Sequence, residues 1–487
     1  MRQLSPQDAM FAYMEAAKSP SQLAWLNIYD PSTAPGGKVR FKDILRHVES
    51  RLHTVPFFRQ KLKFVPGSLG EPFWVDDPDF DLERHIRHVA LPAPGDWRQL
   101  CILASRLFAP PLDLGRPLWE ISVIEGLNNV EGFPPGSFAL LVKLHHAAID
   151  GVSGVDVTTT LHDFAPDAEP PLPHSWKPRA EPKGPELMLR SYVNGLAHPG
   201  RRIRSVARVV PGFRRLRAAI KAGELSKSPK FKVPKTRFSG PVGPHRVMEA
   251  RRFPLAAMQS LRGLAAGATV NDVLLTIIGG SMRRYLESKG ELPEEQLIAT
   301  CPVSVRTEKE RGQLGNQVGN MFVPLATDVA EPVERLRRVT EATTYAKAVN
   351  QLVGARNLTD LSQIMPGVLF GLATRLSARF AGAGVANTTV TNVAGPQDPM
   401  YLAGARMVTQ FALPPLLHGL GIFHVILSYC GEITVTVLSD RDKLPDPGFY
   451  IDCLQQSYDE LADASRSGAP PKTGKGKRRG SSTGAQA

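Results

Sequence analysis

The sequence predicts an α/β (α+β) protein of two lobes, each built on a mixed sheet, joined by a basic connector. Three observations predict it. A chain of 487 residues is too long for one ordinary core. Strand-like runs rich in Val, Ile and Thr interleave with helical periodicity on both sides of residue 200. A stretch rich in Pro, Asp and Glu, followed by a run of Arg and Lys, separates the two mixed blocks. The boundaries are residues 1–178 for the first lobe, 179–236 for the connector and 237–466 for the second lobe, with a Gly/Ser/Lys tail over 467–487 expected to be disordered. Hydrophobic residues at 42% and charged residues at 22% describe a chain that buries cores and has length enough to enclose a cleft between its halves.

The elements follow in order. LWEISVIEGL and SFALLVKLHH read as two strands around a Gly/Pro-rich turn, a hairpin whose second strand runs straight into His145 and His146. VSGVDVTTTLHDFA then reads as a helix, so the histidine pair sits on a strand-to-helix turn. In the second lobe ATVNDVLLTIIGGSMRRYLES is helical, with Val273, Ile277, Met282 and Leu286 roughly on one side. ANTTVTNVAGP, GIFHVILSYC and EITVTVLSD read as strands, the last two joined by a tight turn at Gly431.

Several classes are disfavoured. Cys101, Cys301, Cys430 and Cys453 are scattered, with no CxxC pair and no Cys/His metal spacing, so neither a disulfide framework nor a metal site is expected. The opening MRQLSPQDAMF lacks the apolar core of a signal peptide. The most apolar segment, Ile364 to Ala386, is interrupted by Pro366, Arg375 and Arg379, so no spanning helix is expected. GVSG is not a nucleophile elbow, no phosphate-binding GxxxxGK[ST] loop occurs, and GAGVAN is not a dinucleotide loop.

The charge is concentrated. Eight arginines and five lysines lie between Arg201 and Arg237, opposed only by Glu224. Ile203, Val206 and Val210, then Phe213, Leu216 and Ile220, repeat the i, i+3, i+7 spacing while the arginines take the other faces. Two short basic amphipathic helices of this kind suit an anionic lipid surface, apolar face down. The alternative is that the apolar residues pack on a lobe and the arginines stay solvated. Nucleic acid is disfavoured, because aromatics for stacking are scarce there.

KLHHAAIDGVSG, Lys143 to Gly154, carries the chemistry. Successive strand side chains point to opposite faces, so His145 and His146 are not expected to face one cleft together. One serves as base, the other as support. An unperturbed imidazole, with a pKa near ~6.5, accepts a proton at neutral pH. Asp150 at the turn is expected to hold backbone or an arginine, and Gly151 to permit the turn itself.

HHAAIDG matches the HHxxxDG signature of the coenzyme A-dependent acyltransferase superfamily. PLDLGRPLWE, TVNDVLL and TNVAGP resemble the PLW, ND and SNVPGP-like motifs of bacterial wax ester synthase/diacylglycerol acyltransferases. LSPQDAMF, FWVDDPDFDLERHIRH and SGPVGPHR are also similar to that family, and the likeness runs to about Ala464. Thr391 and Ala394 replace the commoner Ser and Pro of the third motif. The resemblance implies two chloramphenicol-acetyltransferase-like lobes with a tunnel between them. It implies His146 as general base and His145 as support, acting on an alcohol that attacks an acyl-CoA thioester directly, with no acyl-enzyme. It makes Asp150 architectural, paired with an arginine of the second lobe, for which Arg306 is the choice. Asn271 and Asp272 would position substrate or hold the oxyanion, against the alternative of Asn271 as a helix N-cap. Pro117, Leu118 and Trp119 would shape the fold or tunnel wall. Expected co-substrates are acyl-CoA and diacylglycerol or a long-chain alcohol, with no cofactor and no metal. The expected location is cytoplasmic, peripheral to the inner face of the membrane or to lipid inclusions. Two other readings stand beside this one: a condensation-type enzyme fed by a carrier protein, and a non-catalytic lipid-surface protein.

Overall fold

A computed structural model describes residues 1–151, 154–172, 174–196, 232–304, 318–353 and 384–467. The first-lobe elements are β1 (Arg2–Gln3), α1 (Pro6–Met14), β2 (Gln22–Asp30), α2 (Phe41–Glu49), β3 (Gln60–Lys63), β4 (Phe73–Asp76), α3 (Leu82–His85), β5 (Ile86–Ala90), α4 (Trp97–Phe108), β6 (Trp119–Glu125), β7 (Phe138–His145) and α5 (Gly154–Leu161), and α6 (Gly184–Leu196) falls within the connector span. The second-lobe elements are β8 (Arg246–Pro254), α7 (Leu255–Leu261), α8 (Val270–Ser288), β9 (Ile298–Ser304), β10 (Val318–Pro324), α9 (Pro332–Val353), β11 (Thr388–Ala394), β12 (Tyr401–Leu402), β13 (Ala405–Leu413), β14 (Ile422–Tyr429), β15 (Glu432–Asp440) and α10 (Pro447–Arg466).

Two six-stranded mixed sheets carry the molecule, in the orders β12-β13-β2-β7-β6-β5 and β10-β9-β11-β14-β15-β8. The predicted hairpin is β6 and β7, antiparallel, with Trp119 opposite Leu144. The predicted tight turn is equally clear: β14 and β15 pair with Tyr429 opposite Glu432, and Cys430 and Gly431 both take positive φ at the bend. Sequence order and sheet membership part company at β12 and β13. These strands follow residue 400 yet complete the first sheet, β13 lying antiparallel to β2. A shared core results, in which Ala24, Leu26, Ala139 and Leu141 of the first sheet meet Met248 and Leu438 of the second.

In α8 the structure departs from the one-sided pattern. Every residue from Asp272 to Met282 is buried, so the helix is enclosed rather than amphipathic. The pair Gly279–Gly280 explains how. A Cβ at Gly279 would stand 2.5 Å from the Leu325 carbonyl, and one at Gly280 would collide with Ser457 and Arg335. Without side chains there, α8 approaches the β10–α9 corner and α10 at backbone distance.

Connector residues 197–231, residues 305–317 with Arg306, and the tail beyond 467 lie outside the described residues.

Candidate active site

β7 delivers the histidine pair. Its last residue, His145, sits opposite Gln22 of β2, and its N–H donates to the Leu118 carbonyl at 3.1 Å. The chain then leaves the strand: His146 begins a 3-10 turn that runs to Gly151, with its own N–H held by the Ser21 carbonyl at 2.8 Å. Two backbone bonds from different neighbours therefore fix the exit of the strand at the point where the two side chains diverge.

His145 is fully buried. Its Nδ1 accepts the Ala147 N–H at 3.1 Å, so the proton resides on Nε2, which donates to Glu15 Oε2 at 3.2 Å. That same carboxylate oxygen accepts the Ser21 N–H at 2.7 Å. Both nitrogens of His145 are thus engaged, and its place is that of a bracket between α1 and β2.

His146 has different surroundings. Its ring stacks on Phe11, centroids 3.8 Å apart and planes within 19°. Nδ1 has no hydrogen-bond partner among the described residues. Burial, reinforced by the neighbouring His145, lowers its pKa to about 4. The imidazole is neutral at pH 7 and able to accept a proton. Both rings are held from the C-terminal end of α1, Phe11 lying in its last turns and Glu15 being its C-cap. Ser5 starts that helix as N-cap with Pro6 in the first turn, which is how LSPQDAMF comes to support the motif.

Pro117, Leu118 and Trp119 lie behind this site, all buried. The Leu118 carbonyl holds His145, while the Trp119 indole donates to the Phe58 carbonyl at 2.9 Å and its ring stacks on His85. This triplet anchors the strand pair. The backbone of Asp150 and Gly151 belongs to the 3-10 turn. The Asp150 side chain and Arg306 both lie outside the described side chains, and the pairing expected of them with it.

Across the molecule, Thr269 is the N-cap of α8, not Asn271. Thr269 and Asp272 form a capping box, the Asp272 carboxylate accepting the Thr269 N–H at 2.8 Å and the Thr343 hydroxyl of α9 at 2.7 Å. Asp272 is buried and its carboxylate is occupied by the helix start. Asn271 is partly open, and its Oδ1 accepts from the Asn392 amide at 3.3 Å. Asn392 belongs to TNVAGP, so two separately recognised motifs meet here. Gly395 of that motif is required by space, because a Cβ would collide with the Ser428 carbonyl. No cluster of three potential metal ligands occurs among the described residues.

The sequence reading missed Phe11, Glu15, Ser21 and Gln22. Its one available signal was the placing of Phe11 and Glu15 four residues apart at the end of the opening helix, which nothing in the sequence connects to residue 145.

Comparison with known proteins extends over nearly the whole chain. Residues 4–274 match the wax ester synthase/diacylglycerol acyltransferase catalytic domain, and residues 314–462 match the WS/DGAT C-terminal domain. A putative diacylglycerol O-acyltransferase of Mycobacterium tuberculosis is 34% identical over 472 residues, covering 96% of this chain and 91% of that protein. A second from the same organism is 32% identical, covering 97% and 99%. Among solved structures, a wax ester synthase/diacylglycerol acyltransferase from Marinobacter aquaeolei superposes with a TM-score of 0.67 at 25% identity, over 95% of this chain and 100% of that one. The starter condensation domain of rhizomide synthetase gives 0.53 at 13% identity over 95% of each chain, a likeness of fold.

Proposed function

The chain belongs to the wax ester synthase/diacylglycerol acyltransferase family and is an acyltransferase, and from that premise we propose that His146 is the general base of a direct acyl transfer from acyl-CoA to diacylglycerol or a long-chain alcohol. The observation that carries this reading is the state of His146: a neutral imidazole with Nδ1 unpartnered among the described residues, held on an aromatic ring at the end of a fully bonded strand.

The reaction runs as follows. His146 takes the hydroxyl proton as the alcohol oxygen attacks the thioester carbonyl. A tetrahedral oxyanion forms, steadied by the Asn271 amide. The carbon–sulfur bond then breaks, His146 returns its proton to the departing coenzyme A sulfur, and an ester remains. The burial that lowers the pKa of His146 also governs timing. An isolated imidazolium is disfavoured there, so proton uptake is favoured only while negative charge develops beside it. The acyl chain and acceptor would occupy a tunnel between the lobes.

The test is product formation from labelled palmitoyl-CoA offered separately with hexadecanol and with a diacylglycerol, for the wild type and His146→Ala. Ester made by the wild type and lost in the variant supports the base and reveals the preferred acceptor. Full turnover by the variant overturns it.

We further propose that the protein works at an anionic lipid surface, at the cytoplasmic face of the membrane or on lipid inclusions. No helix among the described residues is long and apolar enough to cross a bilayer. Helix α6 supports the interfacial reading, because it docks by the wrong face for a core helix. Leu187 is buried against Val65, Phe73 and Val75, and Ser191 and Asn194 bond Gln3. Met188, Leu189, Tyr192 and Val193 are left in solvent, Tyr192 being 66% exposed. The arginine-rich segment begins a few residues later. Replacing its arginines, or Leu189 and Tyr192 with Asp and Ser, lowers flotation with phosphatidylglycerol vesicles on this reading; unchanged flotation overturns it.

A further inference from the structure

A cleft of about 910 Å³ opens between α4 of the first lobe and the β8 and α10 ends of the second, away from the residues assigned above. Arg98, Arg106, His245 and Arg441 line it, all exposed, and none forms an ion pair among the described residues. Elsewhere many of the exposed arginines are matched by a carboxylate, as Arg337 is by Glu334 and Glu341. The two acids in the cleft wall are already engaged. Glu249 accepts the Trp97 indole N–H, and Asp446 accepts the Tyr285 hydroxyl and the Lys289 ammonium, each at 2.5 Å. The cleft is therefore cationic in effect as well as in count.

Two further features point to a ligand. Ser105 lines the cleft, is 3% exposed, and its hydroxyl has no hydrogen-bond partner among the described residues. Ile102 and Phe449 leave apolar surface in the same cleft, each about two-fifths exposed. Free guanidinium groups beside an aromatic face suit a ligand with several phosphates and a planar base.

One end of the cleft is built on the segment that backs the histidine pair. Ala17, two residues beyond Glu15, forms part of its wall, as do Ala109 and Pro110. The Pro110 carbonyl is held by Gln22 at 2.9 Å and Lys143 at 3.1 Å, and Gln22 is the strand partner of His145. Arg246 reaches across from the second lobe to the Lys18 carbonyl at 2.7 Å.

We propose that this cleft holds the adenosine 3′,5′-bisphosphate and diphosphate portion of coenzyme A, with Arg98, Arg106 and Arg441 on the phosphates and Phe449 against the adenine. The pantetheine arm then runs past residues 15–22 toward His146. This assignment rests on the acyl-CoA reading above and adds where the charged half of that substrate binds.

The experiment uses the full chain and adenosine 3′,5′-bisphosphate as probe, measured by calorimetry at fixed salt. Wild type binds it, and Arg98→Ser/Arg441→Ser weakens binding by at least about 10-fold. The same variant raises KM for palmitoyl-CoA with kcat within about twofold, since the lost contacts are equal in the bound and transition states. Arg466→Ser, on the far end of α10, changes neither. Ser105→Val gives a smaller KM rise and guards against misfolding of the double variant. Equal binding by wild type and double variant overturns the assignment. So does binding of pyrophosphate alone as tightly as the nucleotide, or loss of vesicle flotation in place of nucleotide binding. His146→Ala should bind the bisphosphate normally. If it keeps turnover, the base falls and the cleft stands; if it loses turnover while the arginine variant keeps its KM, the cleft falls and the base stands.

Discussion

Each lobe carries a motif dipeptide, and the two divide their labour in opposite order. In His145–His146 the first member is locked, to Glu15 and the Ala147 N–H, and the second stands on Phe11 with a ring nitrogen unpartnered among the described residues. In Asn271–Asp272 the second member is locked, into the capping box and the Thr343 hydroxyl, and the first is partly open with only an amide contact to Asn392. Adjacent residues cannot both serve a site when the backbone sends them to different faces. The inward one holds the geometry, and on the proposed mechanism the other is left for chemistry.

That division can be broken experimentally, beginning with the open members. His146→Ala should lower kcat by about 10²–10⁴, the range of a lost general base, with a smaller stability loss of about 0.5–1.5 kcal/mol from the stack on Phe11. Asn271→Ala should lower kcat by up to about 10², with little stability change, if its amide meets the oxyanion. The locked members should show the reverse. His145→Ala removes an imidazole donor from the partly buried Glu15 and should cost about 1–3 kcal/mol in urea unfolding. Asp272→Ala removes the capping box and a buried acceptor, for about 1–2 kcal/mol, with activity per folded molecule retained. A kcat collapse in Asp272→Ala at full stability would dissolve the distinction.

The smallest effect is expected from pH. As the proposed base His146 would act when neutral, and burial lowers its folded pKa to about 4. Its competence is present above that value and is lost as pH falls through it. Initial rates should change by less than about twofold between pH 7 and 6. A limb near ~6.5 would mean that the ring is solvated and that its stacking on Phe11 does not persist in solution.

The strands were legible because alternation and β-branched runs report local burial, as in LWEISVIEGL and GIFHVILSYC. The enclosed state of α8 was not, because Gly279 and Gly280 look like weak helix positions until the Leu325 carbonyl and Ser457 are seen against them. The membership of β13 was also hidden. Its own sequence is a good strand, but nothing local says that its partner is β2, almost four hundred residues earlier.

By itself the sequence determined the histidine pair, the strand that presents it and the order of the motifs, since these depend on residue type and short-range spacing. Only the tertiary structure decided which member of each dipeptide is locked by hydrogen bonds and that Glu15 and Phe11 stand against the histidine pair. It alone gathered the arginines of α4 and the second lobe around one cleft. Those outcomes depend on contacts between segments far apart in sequence, where burial and hydrogen-bond supply are properties of the packed whole.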